Sequence, residues 1–192
     1  MKSRVDEYLR KHNLKPVAVV VTHGHLDHSF SVTPVANGYG IPALIHGKDA
    51  PALGNPFHLM MRGGPMESML AQFGNPTFSE PEKIETLTDR VELNLAGMKL
   101  VAEVAPGHTA GSTIFTVDDT YLISGDVLFA GSIGRTDLPT GSSNEMRKTL
   151  KEKIVTLPEE LIVLPGHGEQ TTIARELKRN PYLTDDFLNS ID

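Results

Sequence analysis

The densest group of chemically capable side chains is Thr22-His23-Gly24-His25-Leu26-Asp27-His28, which sets three imidazoles and a carboxylate within six residues. It follows directly on the apolar run Val17-Ala18-Val19-Val20-Val21. Neutral imidazole nitrogens and a carboxylate are donors that suit a borderline divalent ion such as zinc. A β-branched run reads as a buried strand, and a glycine-containing polar segment after it reads as the loop at the strand's carboxyl end. Gly24 between two histidines lets both rings face one point.

Three more polar clusters each follow an apolar, strand-like run. They are Pro106-Gly107-His108-Thr109-Ala110-Gly111-Ser112, Ser124-Gly125-Asp126 and Pro165-Gly166-His167-Gly168. With the first motif they bring five histidines and two aspartates onto four loops, enough donors for two metal ions. One partition that the chemistry suggests gives His23, His25 and His108 to one ion and Asp27, His28 and His167 to the other, with Asp126 bridging. A hydroxide held between two divalent ions is available near neutral pH and attacks an acyl carbon, so the expected reaction class is hydrolysis. Asp27 is placed to accept the proton during attack, although a ligand's role alone also explains it. His12, His46 and His58 lack the glycine-turn context and are expected not to be ligands, with His58 a candidate for substrate contact.

The elements that must position these loops can be read in outline. Residues 3–13 carry an amphipathic helical pattern with Val5, Leu9 and His12 inward, and a strand is expected over 17–22. A helix over 29–37, closed by Gly38-Tyr39-Gly40, and the apolar segment Ala43-Leu44-Ile45 complete a β-α-β rhythm. Residues 46–82, with five prolines and the methionines Met60, Met61, Met66 and Met69, read as loop and short helix bordering the site, with a lid or subunit contact as one role for the methionines. From Val91 onward, strands over 91–93, 98–104, 113–117 and 121–124 suggest an antiparallel meander. A helix capped by Ser142 or Ser143, with Met146, Leu150, Ile154 and Leu157 at helical spacing, then a strand over 161–164 and a helix over 172–179 close the chain.

Composition bounds the rest. The 192 residues suit one domain, 1–192, and 39 % hydrophobic with 22 % charged residues is ordinary for a globular protein. No apolar run is long enough to span a bilayer and no secretory signal is present in the chain as given, so the cytoplasm is the expected compartment. The absence of cysteine excludes thiolate ligands. A net charge of −6 with scattered basic residues argues against a nucleic-acid surface.

The motifs T-H-G-H-L-D-H, P-G-H-T-A-G-S, S-G-D-V-L-F and L-P-G-H-G, in this order, resemble the metallo-β-lactamase superfamily. Within it, Gly131-Ser132-Ile133-Gly134-Arg135-Thr136-Asp137 and Asn180-Pro181-Tyr182-Leu183 resemble the compact bacterial glyoxalase II-like hydrolases. The resemblance implies an α/β (α+β) fold, the αββα sandwich, with a binuclear zinc or mixed zinc/iron site and the ligand assignment above. It also implies hydrolysis of small-molecule S-acyl-thiol thioesters such as S-lactoylglutathione. Arg135, Thr136 and Asp137 are expected to support the site from behind. Relative to this family the chain reads as N-terminally shortened, lacking a strand pair and its Asp-Pro-Gly turn, so an unpaired sheet edge that a homodimer can cover is expected. It also lacks the longer enzymes' C-terminal glutathione-binding extension, which directs attention to other thiol carriers. Rival expectations are a persulfide dioxygenase with one iron on His23, His108 and Asp126, a lactonase or β-lactamase, and a metal-binding chain without catalysis.

Overall fold

A computed structural model describes residues 2–60, 65–72 and 77–190. The chain opens with helix α1 (Lys2–His12), strand β1 (Val19–Val20), helices α2 (Leu26–Ser29) and α3 (Val32–Tyr39), and strand β2 (Ala43–His46). Helices α4 (Pro51–Gly54) and α5 (Pro65–Gln72) lead to β3 (Ile84–Leu87). Then come β4 (Arg90–Leu95), β5 (Met98–Val104), β6 (Thr113–Val117) and β7 (Tyr121–Gly125). Helix α6 (Ser143–Thr149), β8 (Ile162–Pro165), β9 (Thr171–Thr172), α7 (Ile173–Arg179) and α8 (Asp185–Leu188) complete the order.

The strands form two sheets, a parallel β1-β2-β3 and a six-stranded β4-β5-β6-β7-β8-β9, antiparallel except for the parallel β7–β8 pair. Strand β2 explains why they stack. All four of its residues are buried, and because side chains alternate, Ala43 and Ile45 face one layer and Leu44 the other. Leu44 joins Leu87, Leu100, Ala102 and Phe115 in the apolar layer between the sheets. Ala43 and Ile45 pack with Val32, Ala36 and Leu53 under α3 and α4. On the other outer face, Met146, Leu150 and Ile154 cover Ile114, Leu122 and Val163. The result is the expected helix–sheet–sheet–helix sandwich.

The differences from the sequence reading are local. Residues 26–39 split into two helices at Phe30 and Ser31, and Pro34 sits in the first turn of α3, where a backbone donor has no intrahelical partner. Strand β3 was not expected; Glu85 and Thr86 are exposed, and pairing with β2 rather than an apolar pattern defines it. His12 is exposed instead of inward. The helix after Ser142 becomes a π-turn over Leu150–Ile154, which keeps Leu150 and Ile154 on the buried side. Met60 packs beside Leu26 and Leu70; Met61 and the side chains of Met66 and Met69 lie outside the described residues. Strand β1 is shorter than expected and, among the described residues, has β2 as its one neighbour.

Candidate metal centre

The four predicted loops meet at one end of the sandwich. The loop after β1 carries His23, His25, Asp27 and His28, the last two on α2. The loops after β5, β7 and β8 carry His108, Asp126 and His167. The Thr113 amide donates to the Thr22 carbonyl (2.8 Å) and the Gly166 amide to the Gly125 carbonyl (2.8 Å), which ties these loops pairwise.

All seven predicted side chains converge. The potential donor atoms of His23, His25 and His108 lie within 4.8 Å of one another, as do those of Asp27, His28 and His167, and those of His23, His28 and Asp126. Asp126 stands between the first two trios: Oδ2 is 3.6 Å from His108 Nε2 and 3.5 Å from His167 Nε2, and Oδ1 is 3.4 Å from His28 Nε2. His23, His25, His108 and Asp126 are buried, whereas Asp27 and His167 are 46 % and 55 % exposed. The cluster therefore has a dry floor and a mouth open to solvent. Among the described residues, His12, His46 and His58 join none of these groups.

The donor set fits divalent metal. His23 Nε2 and Asp126 Oδ1 are buried with no hydrogen-bond partner, a costly arrangement unless a cation meets them. His108 Nδ1 donates to the Arg135 carbonyl (2.7 Å), so the neutral ring presents its Nε2 lone pair to the cluster. Nδ1 of His25 lies 2.8 Å from His108 Nε2, and Nε2 of His28 lies 3.0 Å from His167 Nε2, so the rings are crowded about two points. Burial first, and then neighbouring histidines, hold the His23 imidazole far below its usual pKa and bring His25 to about 4. Burial also lowers His28 and His108 and raises Asp126. These histidines are neutral, and so able to coordinate a metal, at neutral pH.

The metal-free protein should lose stability in mild acid. An unfolded chain protonates its histidines near pH 6.5, whereas folded His25 waits until about 4, so between these values falling pH favours unfolding. His23, His28 and His108 act in the same direction, and Asp126, whose pKa is raised, offsets part of the loss at the acid end. The thermal midpoint of chelator-treated protein should fall steadily from pH 7 toward 4.5; a flat profile would contradict the burial of neutral imidazoles.

Arg135, expected to stand behind the site, contacts His108 through its main-chain carbonyl, while its exposed side chain pairs with Asp137 (2.7 Å). One group, Asp49, escaped the sequence reading. Asp49 is wholly buried and bonds to both the His23–His25 and His108 loops. Its position in the turn after β2, at the same sheet end as the ligand loops, was the available signal.

The metallo-beta-lactamase superfamily model matches residues 2–167. The chain belongs to this superfamily. It is 33 % identical to the probable metallo-hydrolase YqgX of Bacillus subtilis, over 94 % of this chain and 82 % of that protein. It is 28 % identical to the hydroxyacylglutathione hydrolase GloC of Haemophilus influenzae, over 94 % and 82 %. Among solved structures of the superfamily it is similar to the BLEG-1 B3 metallo-beta-lactamase, with TM-score 0.79 and 31 % identity over 95 % of this chain and 84 % of that one. It is also similar to TTHA1623 in a di-iron-bound form, with TM-score 0.79 and 28 % identity over 95 % and 85 %. No helix among the described residues is long and apolar enough to cross a membrane.

Proposed function

We propose that this member of the superfamily is a binuclear metal-dependent hydrolase of small-molecule S-acyl-thiol thioesters, glyoxalase II-like, working as one domain in the cytoplasm. The observation that carries the reading is the meeting of two donor trios around the single carboxylate of Asp126. His23, His25 and His108 would hold one ion and Asp27, His28 and His167 the other, most readily zinc or a zinc/iron mixture, with Asp126 within reach of both trios. Bound there, two divalent ions supply Lewis acidity toward a carbonyl and make water nucleophilic near neutral pH.

The chain's own groups do the remaining work. Asp27, half-exposed at the mouth with Oδ2 3.1 Å from His167 Nε2, accepts the proton of the attacking water. Water's oxygen joins the acyl carbon, the C–S bond breaks, the proton taken by Asp27 leaves with the thiol, and the carboxylic acid product releases water's second proton to solvent as it ionises. A cavity of about 380 Å³ lined by Gly134, Arg135, Thr136, Arg147, Tyr182 and Phe187 lies on the Arg135 side of His108, and none of the seven candidate ligands lines it. The second trio favours this reading over a one-iron dioxygenase, and the likeness to GloC favours a thioester.

The test is a substrate panel of S-lactoylglutathione, acyl-coenzyme A thioesters and a chromogenic β-lactam, read as kcat/KM on the metal-loaded chain. A preference for thioesters is expected. Hydrolysis of the β-lactam alone would sink the thioester assignment, and oxygen uptake with a persulfide would favour the dioxygenase.

A further inference from the structure

We propose that Asp49 is the positioning residue that sets the spacing of His23, His25 and His108, and so governs metal affinity at that half of the site; the inference rests on the cluster being a metal centre. Asp49 Oδ2 accepts from the Gly24 amide (2.9 Å) and the Thr109 hydroxyl (2.7 Å), and Oδ1 accepts from the Gly111 amide (2.9 Å). Gly24 lies between His23 and His25, and Thr109 follows His108. One carboxylate therefore joins the two loops that supply the whole trio.

A wholly buried carboxylate persists only where donors replace its hydration, and hydrogen bonds to an ionised acceptor are short and strong. The bite of the carboxylate thus fixes the distance between the loops, and with it the 2.8 Å approach of His25 Nδ1 to His108 Nε2. Further bonds brace the same corner. The Ser112 hydroxyl accepts from the Thr109 amide (3.0 Å), and the Ser29 hydroxyl donates to the Gly24 carbonyl (3.2 Å). Gly111 is held so close that a Cβ there would lie 2.4 Å from Asp49 Oδ1. An alanine at 111 must displace the carboxylate without removing its charge.

Glu176 supplies an internal control. It is also buried, and it accepts from the Gly131 amide (2.7 Å), the Thr171 hydroxyl (2.6 Å) and the Asn180 amide group (2.9 Å), none of them beside the three histidines. Loss of a buried carboxylate at either position should destabilise the chain. At position 49 alone it should loosen this trio.

The experiment titrates zinc into the chelator-stripped full chain against a chromophoric competitor, with the cobalt(II) absorption spectrum as a second readout. Asp49→Asn replaces one acceptor with an NH2 group that must face a donor. With Asp49→Asn or Gly111→Ala, one of the two zinc affinities should fall roughly 10- to 100-fold, as for other groups that orient ligands, and the cobalt spectrum should change. Glu176→Gln should lower the unfolding midpoint and keep that zinc affinity. Gly111→Ala carries the decision if Asp49→Asn does not fold. Wild-type affinity in the folded position-49 or position-111 variant, or equal loss in Glu176→Gln, would overturn the proposal. A wild-type chain that binds no zinc would instead overturn the metal-centre reading beneath it.

Discussion

Asp126→Ala is expected to abolish turnover and metal retention while leaving the metal-free fold as stable as before, or more so. The carboxylate is 8 % exposed, one of its oxygens has no hydrogen-bond partner, and burial drives its pKa upward. In the metal-free chain it is therefore a desolvated group with little compensation, and removing it relieves a cost. In the loaded chain it is the group between the two trios, so its loss should weaken both ions. The drop in affinity should exceed the roughly 10- to 100-fold typical of losing a group behind a ligand. Isothermal titration with zinc and thermal unfolding with and without metal separate the two effects. Retained two-ion binding in Asp126→Ala would remove Asp126 from the bridging role proposed for it.

Gly134→Ala should reach the same site from the opposite direction, through the fold. A Cβ at 134 would lie 1.9 Å from the Asp126 carbonyl oxygen and 2.9 Å from His108 Nδ1, and a main-chain atom cannot swing aside as a flexible side chain can. Overpacking of this kind typically costs 1–3 kcal/mol, and about 3 kcal/mol is expected here because the collision is with backbone. The displaced groups are Asp126 and the ring that Arg135 holds at 2.7 Å, so metal affinity should fall together with stability. Gly131→Ala is the contrast. Its methyl group meets open space, and φ of +71° costs only about 1–2 kcal/mol for an L-residue, so metal binding should survive. Denaturant midpoints and zinc titration on the two variants check this; equal loss of metal in both would point to general loop disruption.

The ligand loops were legible because each pairs a strand-like apolar run with a glycine turn and a donor. Those signals lie within ten residues of each other in the sequence, roughly the window in which periodicity can be read. Strand β2 was legible for the same reason, as an apolar segment buried on both faces. Strand β3 was not, since Glu85 and Thr86 carry no strand pattern and the element exists through its pairing with β2. Asp49 was not legible either. Its partners are 25, 60 and 62 residues away, and its place in the turn after β2 is the one sign it gives. The family motif pointed to Arg135 as support for the site, but its contact with His108 runs through a main-chain carbonyl, a group every residue carries, so side-chain chemistry could not specify how.

Metal analysis and S-lactoylglutathione turnover on a single purified sample bear directly on whether this chain is a binuclear thioesterase. A binuclear thioesterase should contain about two divalent ions per chain, lose turnover when stripped by a chelator, and regain it on reloading with zinc. One ion per chain without thioester hydrolysis, or turnover that persists after stripping, would contradict it.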